Sequence, residues 1–289
     1  MTPPIAVAAE AGVLRIVIDR PERKGSLDPA SVRTMIEALE AAATDDSLRA
    51  VLLASTGADF CSGADWVASN AGSGSTGSTG STGNAGKAED AAKPPAGEHR
   101  RPRPGSVQRR TALQAHRLIA LILEVQLPVV CAVRGWAAGL GCQVALAADF
   151  TIAAEGSRLW LPFTKRGFTP DSGATWLVPR LVGIARAKEM LMLGRPVSGL
   201  DAAAWGMIHR AVPDDALDAA VDELLAELRA SATVAVGLTK RGIHGALDGG
   251  IAEAMEAEAL TLELSSRTAD FREGLLAFKE RRDARFDGR

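Results

Sequence analysis

Gly135-Trp136-Ala137-Ala138-Gly139-Leu140-Gly141-Cys142-Gln143 is the stretch on which the reading of the fold turns. Ahead of it, Pro128-Val129-Val130-Cys131-Ala132-Val133 is a short apolar run rich in β-branched residues, the pattern of a buried strand. Behind it, Val144-Ala145-Leu146-Ala147-Ala148 is small, apolar and helix-forming, so the spacing predicts a strand that turns into a helix at the glycines. Such a turn lets the backbone approach a ligand closely. The start of the following helix presents N–H groups with no partner within the helix, at the positive end of the helix dipole. That combination suits a developing negative charge. The same glycines suit plain tight packing of strand on helix, and this stretch alone leaves both readings open.

Working outward toward the N-terminus, the pattern repeats. Ala50-Val51-Leu52-Leu53-Ala54-Ser55 reads as a second buried strand and runs into Phe60-Cys61-Ser62-Gly63-Ala64-Asp65-Trp66, a second glycine turn. Before it, Leu14-Arg15-Ile16-Val17-Ile18-Asp19 alternates like a strand and is broken by Arg20-Pro21-Glu22-Arg23-Lys24-Gly25. Asp28 with Pro29 behind it is a helix start, and Val32, Met35, Ile36 and Leu39 follow at helical spacing. Strand, helix and strand in succession predict an α/β layered fold.

On the C-terminal side, Asp149–Ala154 is again a strand, but the alternation stops soon after Gly173. Helices are predicted at Ala185–Leu193, Leu200–Trp205, Asp215–Ala230, Val234–Ala246, Ile251–Leu264 and Asp270–Arg282, with one short strand at Ile208–Val212. Another amphipathic helix, Ala112–Val125, feeds the central strand. Between the halves, Ser73-Gly74-Ser75-Thr76-Gly77-Ser78-Thr79-Gly80-Ser81-Thr82-Gly83 is a low-complexity repeat, and a basic, proline-bearing segment follows it. It lacks the apolar surface to offset its ordering entropy, so disorder is expected. The organisation read from sequence is an α/β core over 1–69 and 106–199, an insertion over 70–105, and a helical oligomerisation region over 200–289.

The net charge of -2 offers no electrostatic case for nucleic acid or an anionic membrane. No apolar run approaches the ~20 residues of a membrane span, and the first residues lack the build of a signal peptide. Cys61, Cys131 and Cys142 form no CxxC pair and the histidines are scattered, so neither a disulfide framework nor a metal site is indicated. A cytoplasmic protein with buried thiols is expected.

Taken together, several motifs resemble the enoyl-CoA hydratase/isomerase family, the crotonase fold. They are Arg20-Pro21, Phe60–Asp65, Val133–Gly141, Ala148-Asp149-Phe150, Gly167-Phe168-Thr169-Pro170-Asp171-Ser172-Gly173 and Leu177–Gly183. The resemblance runs from about Leu14 to Gly288 with the insertion set aside. It implies a spiral of strand–helix units, a coenzyme A thioester as substrate, no metal or redox cofactor, and a homotrimer or hexamer. It also implies that the backbone N–H groups of Ala64 and Leu140 form an oxyanion hole for a thioester enolate. Around them Ser62, Gly63, Asp65, Trp66, Gly139, Gly141, Gln143 and Phe163 would line the substrate site. Arg23 and Lys24 would meet the CoA adenine and phosphates, and Lys240, Phe278 and Lys279 in the tail would touch CoA, the last two across a subunit boundary.

A hydratase of this family positions water with two glutamates, and here those positions fall on Gln143 and Phe163. Neither side chain can take up a proton at neutral pH. Instead, Pro170-Asp171-Ser172-Gly173 puts a carboxylate where similar isomerases, the phenylacetate-pathway group among them, carry one. The resemblance therefore favours an enoyl-CoA isomerase with Asp171 as proton shuttle. Hydration through another carboxylate, and a non-catalytic acyl-CoA binder, stand as alternatives. Asp171 also reads as a cap for N–H groups near Ala174.

Overall fold

The computed structural model describes residues 3–65 and 106–289, so Trp66 and the 70–105 insertion lie outside the described residues. The chain opens with a hairpin that the sequence reading did not anticipate: β1 (Ile5–Glu10) pairs antiparallel with β2 (Val13–Ile18). Most of β1 is exposed, so it carries no buried run to announce it. Helix α1 (Pro29–Ala42) follows. Its start is as expected, with the Asp28 carboxylate accepting the Ser31 N–H at 2.8 Å and Val32, Met35, Ile36 and Leu39 all buried. β3 (Ala50–Ser55) then pairs parallel with β2.

After the insertion comes a helical stretch made of α2 (Ser106–Thr111), a π-helical turn (Ala112–His116) and α3 (Arg117–Glu124). β4 (Val129–Val133), β5 (Trp136–Ala138) and α4 (Leu140–Ala147) realise the strand–glycine–helix turn, with the helix starting earlier than its apolar residues announce. β6 (Phe150–Ala154) and β7 (Arg158–Trp160) lead to α5 (Ala174–Leu193). The sequence predicted that helix only from Ala185, whereas it starts at Ala174 and carries Pro179 within it. Gly183 does interrupt the helix, at φ +74 and ψ +167, but helical structure precedes it.

The chain closes with β8 (Val197–Ser198), α6 (Gly199–Ala204), β9 (Arg210–Val212), α7 (Leu217–Ala230), α8 (Thr233–Ala246), α9 (Ile251–Ser265) and α10 (Ala269–Glu280). Strands β1-β2-β3-β4-β6-β9 form one sheet, parallel beyond the β1/β2 hairpin, and β5-β7-β8 form a second, smaller one. The main sheet is covered on both faces, which is why its inner strands read as near-continuous apolar runs. Leu14, Ile16, Val51 and Leu53 face a large core with α1, α3 and α4. Their neighbours Val13, Leu52, Val130 and Ile152 pack against Leu217, Val221 and Leu224 of α7. The result is an α/β fold with a C-terminal helical region. Among the described residues no helix is long and apolar enough to cross a membrane.

Candidate active site

Both glycine turns sit at the junction of the two sheets, and the backbone locks them side by side. The Cys61 N–H donates to the Trp136 carbonyl at 2.9 Å, and the Ala138 N–H returns to the Cys61 carbonyl at 2.8 Å. Gly63 adopts φ +102, and a Cβ there would lie 2.9 Å from the Ala138 carbonyl oxygen and 3.7 Å from the Leu140 nitrogen. Only a glycine permits that approach of one turn to the other. At Gly141 a Cβ would come within 2.5 Å of the Cys61 Cβ, so the start of α4 can lie directly on the first turn.

The N–H groups within this junction divide into two kinds. Those of Ser62, Asp65 and Gly139 donate to the carbonyls of Lys24, Leu27 and Trp160 at 2.8–2.9 Å. Those of Ala64 and Leu140 have no acceptor among the described residues. Leu140 opens α4, where an N–H has no intrahelical partner, and all eight residues of α4 are buried. Among the described residues these are two donors without an acceptor on adjoining backbone segments, and main-chain donors of that kind suit an anion.

The first turn is also tied to the Arg20–Gly25 segment. Asp65, 7% exposed, faces the guanidinium of Arg23 at 3.4 Å and that of Arg20 at 3.8 Å. Arg20 donates in addition to the Ser26 carbonyl at 2.7 Å and pairs with Asp28 at 3.1 Å. Burial raises the Asp28 pKa, but the Ser31 hydrogen bonds and the Arg20 charge outweigh it and hold the carboxyl below its ordinary value. Arg20 is thus the hub of this clamp, a role that sequence reading missed although the Arg20-Pro21 pair was in view. Arg23 and Lys24 are exposed beside the turn. Asp65, expected to line the substrate site, turns its carboxylate to two arginines.

Gln143 and Phe163 are both buried. Phe163 packs edge-to-face on Phe168, with ring centroids 5.6 Å apart, so neither former glutamate position carries an acid. Asp171 is half-buried, and its carboxylate makes no hydrogen bond or ion pair among the described residues. The helix-cap reading of Asp171 does not hold. Gly173 occupies the cap position of α5 without a side-chain bond, and Ala174 is met by the Asp171 main-chain carbonyl at 3.0 Å. That carbonyl also accepts the Gln143 amide, which joins Asp171 to the helix that Leu140 begins. A cavity of about 330 Å³ lies next to this segment, lined by Pro170, Thr175, Pro179, Ile184, Leu191 and Met192 among others, but neither glycine turn reaches it.

Lys240 requires a further correction. It is 6% exposed, and its ammonium meets Asp149 at 2.7 Å and the carbonyls of Ile122 and Leu127 at 2.7 and 3.2 Å. Those three acceptors use all three of its N–H donors, leaving none for a phosphate. Phe278 is 85% exposed and Lys279 is exposed as well, on a helix that buries only Asp270 and Ala277. Among the described residues nothing brings either of them to the glycine turns. The three thiols are buried, and burial pushes Cys61 and Cys142 up to about 12, so they stay protonated.

The model of the enoyl-CoA hydratase/isomerase family matches residues 8–85 and 99–289. The 1,2-epoxyphenylacetyl-CoA isomerase of Escherichia coli is 32% identical over 97% of this chain and 97% of its own length. Enoyl-CoA hydratase domain-containing protein 2, mitochondrial, of Mus musculus is 30% identical over 100% of this chain and 90% of its own. A solved enoyl-CoA hydratase from Bacillus anthracis superposes with a TM-score of 0.83 at 27% identity, covering 99% of this chain and 100% of that one. With a crotonase-type fold, paired glycine turns and a family match along nearly its whole length, this chain belongs to the enoyl-CoA hydratase/isomerase family.

Proposed function

We propose that this protein is an enoyl-CoA isomerase in which Asp171 carries the proton and the N–H groups of Ala64 and Leu140 hold the thioester oxygen. The observation that carries the reading is the Asp171 carboxylate itself. It is half-buried, unpaired among the described residues, and tied through its own backbone to the helix of Leu140. The carboxylate takes a proton from one carbon of the acyl chain, electrons move onto the thioester oxygen, and the two N–H groups stabilise the dienolate. The same carboxyl then returns its proton two carbons away. No water is added and no electron leaves, so the step needs neither a metal nor a redox cofactor. Removing one oxyanion donor typically costs about 3–4 kcal/mol of transition-state stabilisation.

The absence of an acid at Gln143 and Phe163 counts against the two-glutamate route to hydration. The names of the relatives include both an isomerase and a hydratase. The Asp171→Asn variant tests the reading, with turnover of a 3-enoyl-CoA ester falling by roughly 10²–10⁴-fold while binding persists. Undiminished turnover removes the assignment.

The exposed apolar side chains of the tail support assembly into a homotrimer or a dimer of trimers. Helix α9 buries none of its residues, and Ile251, Met255, Leu260, Leu262 and Leu264 are all at least 58% exposed. Apolar exposure on that scale is covered in soluble proteins by a partner. A second copy there would also supply the subunit boundary at which Phe278 and Lys279 meet CoA.

A further inference from the structure

Gln143 lies on α4 among small apolar neighbours and is fully buried. The two ends of its amide are treated differently. Nε2 donates to the Asp171 main-chain carbonyl, whereas Oε1 has no partner among the described residues. A buried carbonyl without a donor is unfavourable, so packing alone does not account for an amide at this position.

What the amide holds is an unusual piece of backbone. Immediately after Asp171, Ser172 takes φ +44 and Gly173 takes φ +83, two left-handed residues in succession. For a serine that conformation persists only where the surroundings impose it. The Ser172 hydroxyl is buried and has no partner among the described residues, so the serine side chain contributes no hydrogen bond to the turn. The restraint comes from the peptide before it, whose carbonyl accepts both the Ala174 N–H and the Gln143 amide.

We propose that Gln143 is the positioning residue for Asp171: its amide fixes the Asp171 peptide and so sets where the carboxylate points relative to the Leu140 N–H on the same helix. This rests on the reading of Asp171 as the proton carrier. It joins the two departures of this chain into one device. A glutamate at 143, ionised, has no N–H to offer the Asp171 carbonyl and would repel it. An amide at 143 and a working carboxylate at 171 therefore belong together.

The test is steady-state turnover and solvent-deuterium exchange with a 3-enoyl-CoA ester for Asp171→Asn, Gln143→Met, Gln143→Glu and the double variant Asp171→Asn/Gln143→Met. Methionine keeps the length of the side chain and removes both the donor and the orphaned oxygen. For Gln143→Met the expectation is a kcat lower by about 10–100-fold, the effect of a misplaced reacting group. KM and the urea midpoint should stay at their wild-type values. Gln143→Glu should lose at least as much. In the Asp171→Asn background Gln143→Met should cost no more than twofold further, since the group it positions is already gone. The proposal is overturned if Gln143→Met keeps kcat within twofold, or if its loss of kcat comes with a lowered urea midpoint or multiplies with that of Asp171→Asn. In each of those cases an inactive Asp171→Asn leaves the proton-carrier reading standing. An active Asp171→Asn takes both readings down.

Discussion

Replacing Lys240 with methionine distinguishes an interior strut from a cofactor contact, and the structure gives its size. The ammonium of Lys240 neutralises Asp149 and fills two carbonyls at and just beyond the end of α3. Burial depresses the Lys240 pKa against the pull of Asp149, so bringing the charge inside is itself unfavourable. The pair is tolerated because each partner satisfies the other. Removing one member of such a pair costs about 3–5 kcal/mol, most of it from the charge left behind. For a chain of this length that corresponds to a fall in Tm of roughly 6–20 °C, at about 2–4 °C per kcal/mol. Thermal unfolding followed by circular dichroism, with reversible urea unfolding beside it, reads the change. Adding Asp149→Leu should recover part of the loss, because the orphaned carboxylate disappears, although the Val129 N–H that it accepts at 2.8 Å then lacks a partner. Meanwhile KM for an acyl-CoA should be unmoved in whatever fraction remains folded. A Lys240→Met protein with wild-type stability and a tenfold higher KM would refute the strut role and return Lys240 to a contact with CoA.

Two further outcomes are expected. Gly63→Ala forces a Cβ to within 2.9 Å of the Ala138 carbonyl at φ +102, so the first turn must shift away from Leu140. The expected loss in kcat is about 10²–10³-fold, that of one oxyanion donor. Wild-type kcat in this variant would show that the spacing of the two turns is not critical. At the other end of the chain, the Glu273 carboxylate is held down to about 2, first by its hydrogen bond to Arg282 and next by the Arg285 N–H. A depressed carboxylate stabilises above its unfolded value of 4.5 and loses that contribution as the pH falls toward 2. The C-terminal segment after Arg281 should therefore become open to pepsin progressively through that window. Glu273→Gln should open it at every pH where pepsin works, and equal resistance in both proteins would contradict the assignment.

Much of the fold was legible because it rests on burial and local chemistry. Ala50–Ser55 is a strand because both its faces are covered, and Asp28-Pro29 starts a helix wherever the chain goes next. β1 was not legible, since an edge strand exposed along most of its length has no apolar run. Nor was β5, whose three residues are held by neighbours distant in sequence. The glycine turns were found, but that they lie side by side depends on contacts between Cys61 and Trp136–Ala138 that no local pattern encodes. Lys240 shows the same limit from the other side. The resemblance set this lysine against CoA, and only the position of Asp149 and the end of α3 shows that it is held inside.

The most direct test of the central claim is mass spectrometry of a small panel of enoyl-CoA esters incubated with the protein in D₂O. The account predicts deuterium uptake with a shifted double bond and no added water. A product heavier by one D₂O would contradict it and make the protein a hydratase.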